Sequence, residues 1–253
     1  MSNLLWVKLP SLEIANGILE RDFSSPANQN DDIAALKLLL VFALFGREIK
    51  RTSGLLTYQK IEAMMTYDQL CERCSLSRTL VRKGLVRLLN TRLIEKHGEK
   101  RVTYIFAGDS RKSWCKLPKK GVVSTDDSIP ALAAILNRYP YERNALKLFI
   151  YILSVRSNSK CYVDLSKRAI RLKTGIKCAE IEGATSYLLS IGLLSKVEDQ
   201  GYLKSLNASD DTRLNRYWVI GYSSLNYKSI AIPSDDIHRT GFNDLDVTMS
   251  SFE

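Results

Sequence analysis

Residues 78–87 offer the clearest chemistry in this chain. Leu80, Val81, Leu85, Leu88 and Leu89 recur at helical spacing and mark one face, leaving Arg78, Thr79, Arg82, Lys83, Val86 and Arg87 on the other. That outer face holds four cations and no acid. An arginine can grip guanine through two parallel hydrogen bonds, and Thr79 or Val86 can pack against a thymine methyl, so the face suits a DNA major groove. The bland alternative is a solvated helix surface. Ser77 stands where it caps this helix and faces the same partner. Lys96, His97, Lys100 and Arg101 follow at a turn that can reach a phosphate run or a minor groove, or simply solubilise the turn.

Other chemistries lack their residues. Cys71-x-x-Cys74 is half a zinc site, but the chain supplies only His97, His238 and three scattered cysteines as partners, and core packing is the commoner role for thiols on one short helix. No metal or cofactor is assigned. The sequence has no Gly-Lys dipeptide for a phosphate-binding loop and no paired histidines for a metal-dependent nicking enzyme. Adjacent acids at 31–32, 126–127, 210–211 and 235–236 sit at helix starts, loops or the terminal segment, and none of the 12 tyrosines has an activating neighbour. The chain reads as a non-enzyme.

The elements that position the cationic face begin with a mostly buried helix over residues 31–50, with Asp31 or Asp32 as its N-cap. A loop containing Gly54 leads to Thr66, which caps a short helix over 67–74. Ser75-Leu76-Ser77 makes the tight turn, and the amphipathic helix then runs to about Asn90. Residues 93–96 and 101–106 alternate with period two around Gly98, predicting a hairpin. Helix, short helix, turn, helix, hairpin is the winged-helix order.

The same order returns downstream. Leu88-Leu89-Asn90-Thr91-Arg92-Leu93-Ile94-Glu95-Lys96 aligns with Leu188-Leu189-Ser190-Ile191-Gly192-Leu193-Leu194-Ser195-Lys196 at an offset of 100, and Ala35-Leu36-Lys37-Leu38 with Ala145-Leu146-Lys147-Leu148 at 110. Only four of the 21 positions from Leu76 to Lys96 are identical, so the shared property is pattern. The second copy is predicted to have helices over 130–138 and 142–155, a strand at 161–163, a small helix over 167–172 behind Ser166, a turn at Gly175, a third helix over 177–191, and wing strands over 197–204 and 216–220. Its third helix carries Cys178, Ala179, Glu180 and Glu182 where the first has Arg78, Thr79, Leu80 and Arg82. Its cations gather instead on Lys167, Arg168, Arg171, Lys173 and Lys177, placed to hold phosphates, with Lys204, Arg213 and Arg216 on the longer wing. Glu180 or Glu182 suits a cytosine amino group or a protein interface equally, and which module reads bases and which dimerises stays open.

These readings predict an α+β chain, mainly helical with small β hairpins, built as two tandem winged-helix domains over 1–110 and 129–232. A basic linker containing Lys119 and Lys120 spans 111–128, and an acidic tail spans 233–253. The 253 residues, 45% hydrophobic, suffice for two cores, and a formal charge of +10 favours a polyanionic partner. Residues 1–24 lack a signal-peptide core, and the most apolar stretch, 33–45, is too short to span a bilayer, so a soluble cytoplasmic protein with reduced thiols and no membrane partner is expected.

The layout resembles the tandem winged-helix replication initiators of plasmids and related mobile elements. The resemblance covers residues 31–222 and rests on the two Ala-Leu-Lys-Leu stretches and the two helix-turn-helix stretches. It implies sequence-specific binding of double-stranded DNA at repeated origin sites, opening of adjacent DNA with host replication proteins, and a homodimer that represses its own synthesis. A transcription regulator of the same fold, or an adaptor using winged helices for protein contacts, is the alternative.

Overall fold

A computed structural model describes residues 4–53, 56–99, 101–108, 113–202 and 212–221. Along the first half run β1 (Trp6–Pro10), α1 (Leu12–Ala15), α2 (Ile18–Asp22), α3 (Gln29–Phe45), β2 (Arg47–Ser53), β3 (Leu56–Ala63), α4 (Tyr67–Cys74), α5 (Arg78–Asn90), β4 (Ile94–His97) and β5 (Thr103–Phe106). The second half contributes β6 (Trp114–Pro118), α6 (Pro130–Ala134), α7 (Pro140–Val155), β7 (Tyr162–Ser166), α8 (Lys167–Thr174), α9 (Cys178–Ser190), β8 (Leu194–Tyr202) and β9 (Arg213–Val219). The sheets are small: β1-β6, β2-β3-β5-β4 and β7-β9-β8. The chain is thus mixed α+β, and no helix among the described residues is long and apolar enough to cross a membrane.

Internal repetition is set by backbone chemistry more than by side-chain identity. Helices α4 and α8 start and stop 100 positions apart, as do α5 and α9. Thr66 and Ser166 each cap the shorter helix by accepting from the backbone N–H three residues on. Ser75 (φ 50°) and Gly175 (φ 68°) end it in the left-handed conformation. After the longer helix the same conformation returns at Arg92 (φ 56°) and Gly192 (φ 73°), and Leu93 and Leu193 donate to the carbonyls of Leu88 and Leu188.

A further repeat appears at the strands. Trp6-Val7-Lys8-Leu9-Pro10 in β1 returns as Trp114-Cys115-Lys116-Leu117-Pro118 in β6, 108 residues later. The two pair antiparallel with Lys8 opposite Lys116 and each tryptophan opposite the other strand's proline, a register that maps onto itself under a two-fold rotation. Lys8 lies over the Trp114 ring and Lys116 over that of Trp6, while the two indoles stack at 5.5 Å. The expected linker over 111–128 therefore contains the strand that opens the second repeat. The physical reason is that β6 exposes little: Cys115, Lys116 and Leu117 are buried against β1 and α7.

The same two-fold relation organises the interior. Helices α3 and α7 pack on each other in one continuous hydrophobic core, while α2 rests on α8 and α6 on α4. Lys37 in α3 and Lys147 in α7 are both buried, at equivalent places. Lys37 Nζ donates to the carbonyls of Ile135 (2.6 Å) and Cys74 (3.2 Å), and Lys147 Nζ to Phe23 O (3.1 Å) and Ser24 Oγ (2.8 Å). Ile135 and Phe23 are themselves equivalent, each closing the helix that precedes its own repeat's long one and receiving the lysine of the other repeat. Burial lowers both ammonium groups to about 8.

Three expectations need correction. Helix α3 stops at Phe45, and residues 47–63 form the β2-β3 hairpin where a loop was expected. Its strands are mostly polar on both sides, and their backbone pairs with the rest of the sheet only where Glu62 and Ala63 face Ile105 and Tyr104, so no apolar alternation announces them. Neither Asp31 nor Asp32 caps α3. Asp32 lies inside its first turn, fully buried, with Oδ1 2.8 Å from Arg87 Nε and Oδ2 3.3 Å from Arg143 Nη1. The acidic segment 233–253 lies outside the described residues, as do residues 205–211 of the loop expected over 205–215 in the second wing, whereas residues 213–215 belong to β9.

Unfolding returns Lys37 and Lys147 to their ordinary affinity for protons, so the unfolded chain binds more protons above about pH 8 and stability rises with pH there. Buried Cys74 and Cys115, whose thiols burial pushes upward, oppose this from about pH 9, the usual range of a thiol. Urea denaturation is expected to show a gain of about 1–3 kcal/mol between pH 7 and 9, abolished by Lys37→Met with Lys147→Met. A flat or falling profile in the native protein would contradict the buried-ammonium account.

Candidate nucleic-acid interface

The outer face of α5 is placed by a chain of local requirements. Thr66 and Gln69 form a reciprocal capping box at the start of α4, with Thr66 N to Gln69 Oε1 at 3.0 Å and Gln69 N to Thr66 Oγ1 at 3.2 Å. After the left-handed Ser75, Leu76 is buried and Ser77 Oγ accepts from Leu80 N at 3.3 Å, which fixes where α5 begins. The inward side of α5 is Val81, Gly84, Leu85 and Leu88. Gly84 permits backbone contact with α3: a Cβ there would stand 2.9 Å from Ala34 C and Ala35 N. Ala184 is the buried counterpart on α9.

This leaves Arg78, Thr79, Arg82, Lys83 and Val86 exposed on α5. Thr79, Arg82, Lys83 and Val86 border a shallow depression with Asp31. Two of the cations have acids nearby that the helix alone does not disclose: Arg78 Nη2 is 2.5 Å from Asp68 Oδ1, and Lys83 Nζ is 3.5 Å from Asp31 Oδ1. These pairs are solvent-exposed or nearly so and weak enough to exchange for a phosphate. Arg82 makes no ion pair with another described residue.

Arg87 does not belong to the face. It is drawn back to the buried Asp32 and lies over the Phe23 ring at 5.4 Å, so its charge is spent inside the fold. In the second repeat Glu142 takes the place of Asp32 and Tyr187 that of Arg87; Glu142 accepts from the N–H groups of Leu136, Arg138 and Tyr139, and burial raises the Tyr187 hydroxyl to about 12 with Glu142 beside it.

The first hairpin brings Lys96 and Arg101 to the surface, while Lys100 lies outside the described residues. Glu95 is partly shielded, which alone would raise its carboxyl, but hydrogen bonds from His97 and Lys60 hold it below the usual range. The ribbon β2-β3 had no part in the sequence reading, yet it extends this sheet with exposed Arg47 and Lys50. Lys120 is exposed, whereas Lys119 is half-buried with its ammonium over the Phe45 ring at 5.3 Å.

The second repeat departs further. Lys167 is buried, with Nζ 2.7 Å from Glu182 Oε1, so it does not grip a phosphate. Asn144 holds Glu180 at 3.0 Å, so both acids of α9 have partners within the fold. Arg168, Arg171, Lys173 and Lys177 remain exposed on α8 and the turn. Arg213 is paired with Asp199, and Arg216 is bidentate on Asp164 at 2.8 and 2.9 Å with its guanidinium over the Tyr162 ring, cross-strand partners that the sequence reading did not include. Lys204 lies outside the described residues. Where α5 has Arg78, Arg82 and Lys83, α9 has Cys178, Glu182 and Gly183, with exposed Ala179 and Ser186 on the same face, beside a cluster of Tyr139, Tyr141 and Tyr187 with ring centroids 5.0–5.3 Å apart.

No family model, curated protein or solved structure matches the chain.

Arg87→Ala removes a partner from a fully buried carboxylate and is expected to lower unfolding free energy by roughly 3 kcal/mol in urea denaturation. Gly84→Val forces α5 away from α3 and should cost about 1–3 kcal/mol by the same measurement. Stability within experimental error of the native protein in either case would contradict the packing described.

Proposed function

We propose that the chain is a sequence-specific double-stranded DNA-binding protein built from two winged-helix modules, with α5 as the helix that enters the major groove. The observation that carries this reading is the 100-residue registration of cap, short helix, left-handed turn and long helix between α4-α5 and α8-α9, with β4-β5 and β8-β9 as the wings. The first copy adds a groove-facing row of Arg78, Thr79, Arg82 and Lys83 on a chain of net charge +10. The second copy offers its exposed cations from α8 and the turn, a disposition suited to phosphates and not to base edges. Base reading therefore belongs to the first module and anchoring to the second.

Replication initiation at repeated origin sites of a plasmid or mobile element is the biological role that this two-module layout fits best, with host replication proteins and a second copy of the chain as further partners. A promoter-bound regulator uses the same face, and footprinting separates the two. An initiator protects an array of repeats beside an AT-rich stretch, whereas a regulator protects a single promoter site. Protection of no DNA would overturn the proposal.

Within the DNA-binding reading, Arg82→Ala should weaken specific binding by about 1–3 kcal/mol and leave binding to random duplex nearly unchanged. Equal loss on both would make Arg82 a phosphate contact. Lys120→Ala should weaken all sequences alike and lower the salt slope by about 1. An unchanged slope would place Lys120 away from DNA.

A further inference from the structure

The geometry points to a binding site for a small amphipathic carboxylate between the α1-α2 corner and the foot of the first hairpin. A cavity of about 370 Å³ lies there, within the size range of small-molecule sites. Ile14, Ile18, Leu39, Leu93 and Phe106 give it an apolar lining, and Leu12, 52% exposed, stands at its edge. Among the described residues its charged lining groups are Arg21, Arg92 and Glu13, an excess of one positive charge.

Arg92 supplies the second, independent observation. It holds the left-handed conformation at φ 56°, where the second repeat has Gly192 at φ 73°. A side chain in that conformation is strained, and glycine avoids the strain. Its guanidinium nonetheless makes no ion pair or hydrogen bond with another described residue, so nothing among them offsets the strain. An arginine kept in a glycine position beside an apolar cavity is explained by a ligand with an anionic head and a hydrocarbon body. A medium-chain fatty acid or an arylalkanoate has that chemistry and bulk. Thr91 and Leu93 follow directly from α5, and Phe106 ends β5, so an occupant would touch the supports of both the helix and its hairpin. This inference does not depend on the nucleic-acid reading.

Calorimetric titration of the full chain with decanoate and with 4-phenylbutyrate tests it, using 4-phenylbutyramide as the uncharged control. Saturable one-to-one binding is expected for at least one acid, with the amide about tenfold weaker or worse. Arg92→Gly should keep or raise the thermal midpoint, because it relieves the backbone, while weakening the acid about tenfold. Arg92→Lys should fall between. Absence of saturable binding by either acid, equal affinity for acid and amide, or undiminished affinity in a folded Arg92→Gly protein would overturn the assignment.

Discussion

Two ammonium groups buried at the junction of α3 and α7 set the terms for everything else in this molecule. Lys37 and Lys147 sit in the apolar middle of their helices, and neither can remain there without carbonyl partners. Each finds one on the opposite repeat, at the residue closing the helix before the partner's long one. A sliding or opening of the two halves would strand both charges in hydrocarbon, so the relation between the halves is fixed by a polar constraint as well as by apolar contact. The β1-β6 ribbon and the Asp32-Arg143 contact reach across the same junction. The repeats are therefore not beads on a linker, and α5 and α9 are held in one defined relation.

Within that shared frame the two repeats have diverged at equivalent positions. Asp32 with Arg87 becomes Glu142 with Tyr187, and Gly84 becomes the equally buried Ala184. On the outside, Arg82 and Lys83 become Glu182 and Gly183, and the surface loses its cations and gains an exposed acid. A buried position is constrained by its neighbours in the fold, whereas an outward one answers only to a partner. The asymmetry of the outer faces is thus the reason for assigning unlike tasks to the two modules.

Much of this was legible in the sequence where the signal is local. Thr66, Ser77 and Ser166 are caps because hydroxyl residues stand before amphipathic runs, and the face of Arg78, Thr79, Arg82 and Lys83 follows from the apolar spacing of α5. What escaped is decided by distant partners. Arg87 meets an acid 55 residues upstream, and Asp32, placed like an N-cap, is claimed by an arginine 111 residues downstream. Arg213 and Arg216 are neutralised by strands that only the sheet register brings beside them. The Trp-x-Lys-Leu-Pro repeat was visible in the sequence, but its 108-residue offset matches neither of the other two, because the second repeat is longer between its strand and its long helix while the first is longer after its own, where the β2-β3 hairpin lies. A lysine at the same point of both apolar helices was the available clue to the junction.

The central claim, that α5 and not α9 lies against bases, is tested most directly by photocrosslinking. A photoreactive residue placed at Thr79 should attach to duplex DNA containing the protected site, whereas one at Gly183 should attach weakly or not at all. Strong crosslinking from 183 with none from 79, in proteins that still bind the site, would contradict the account.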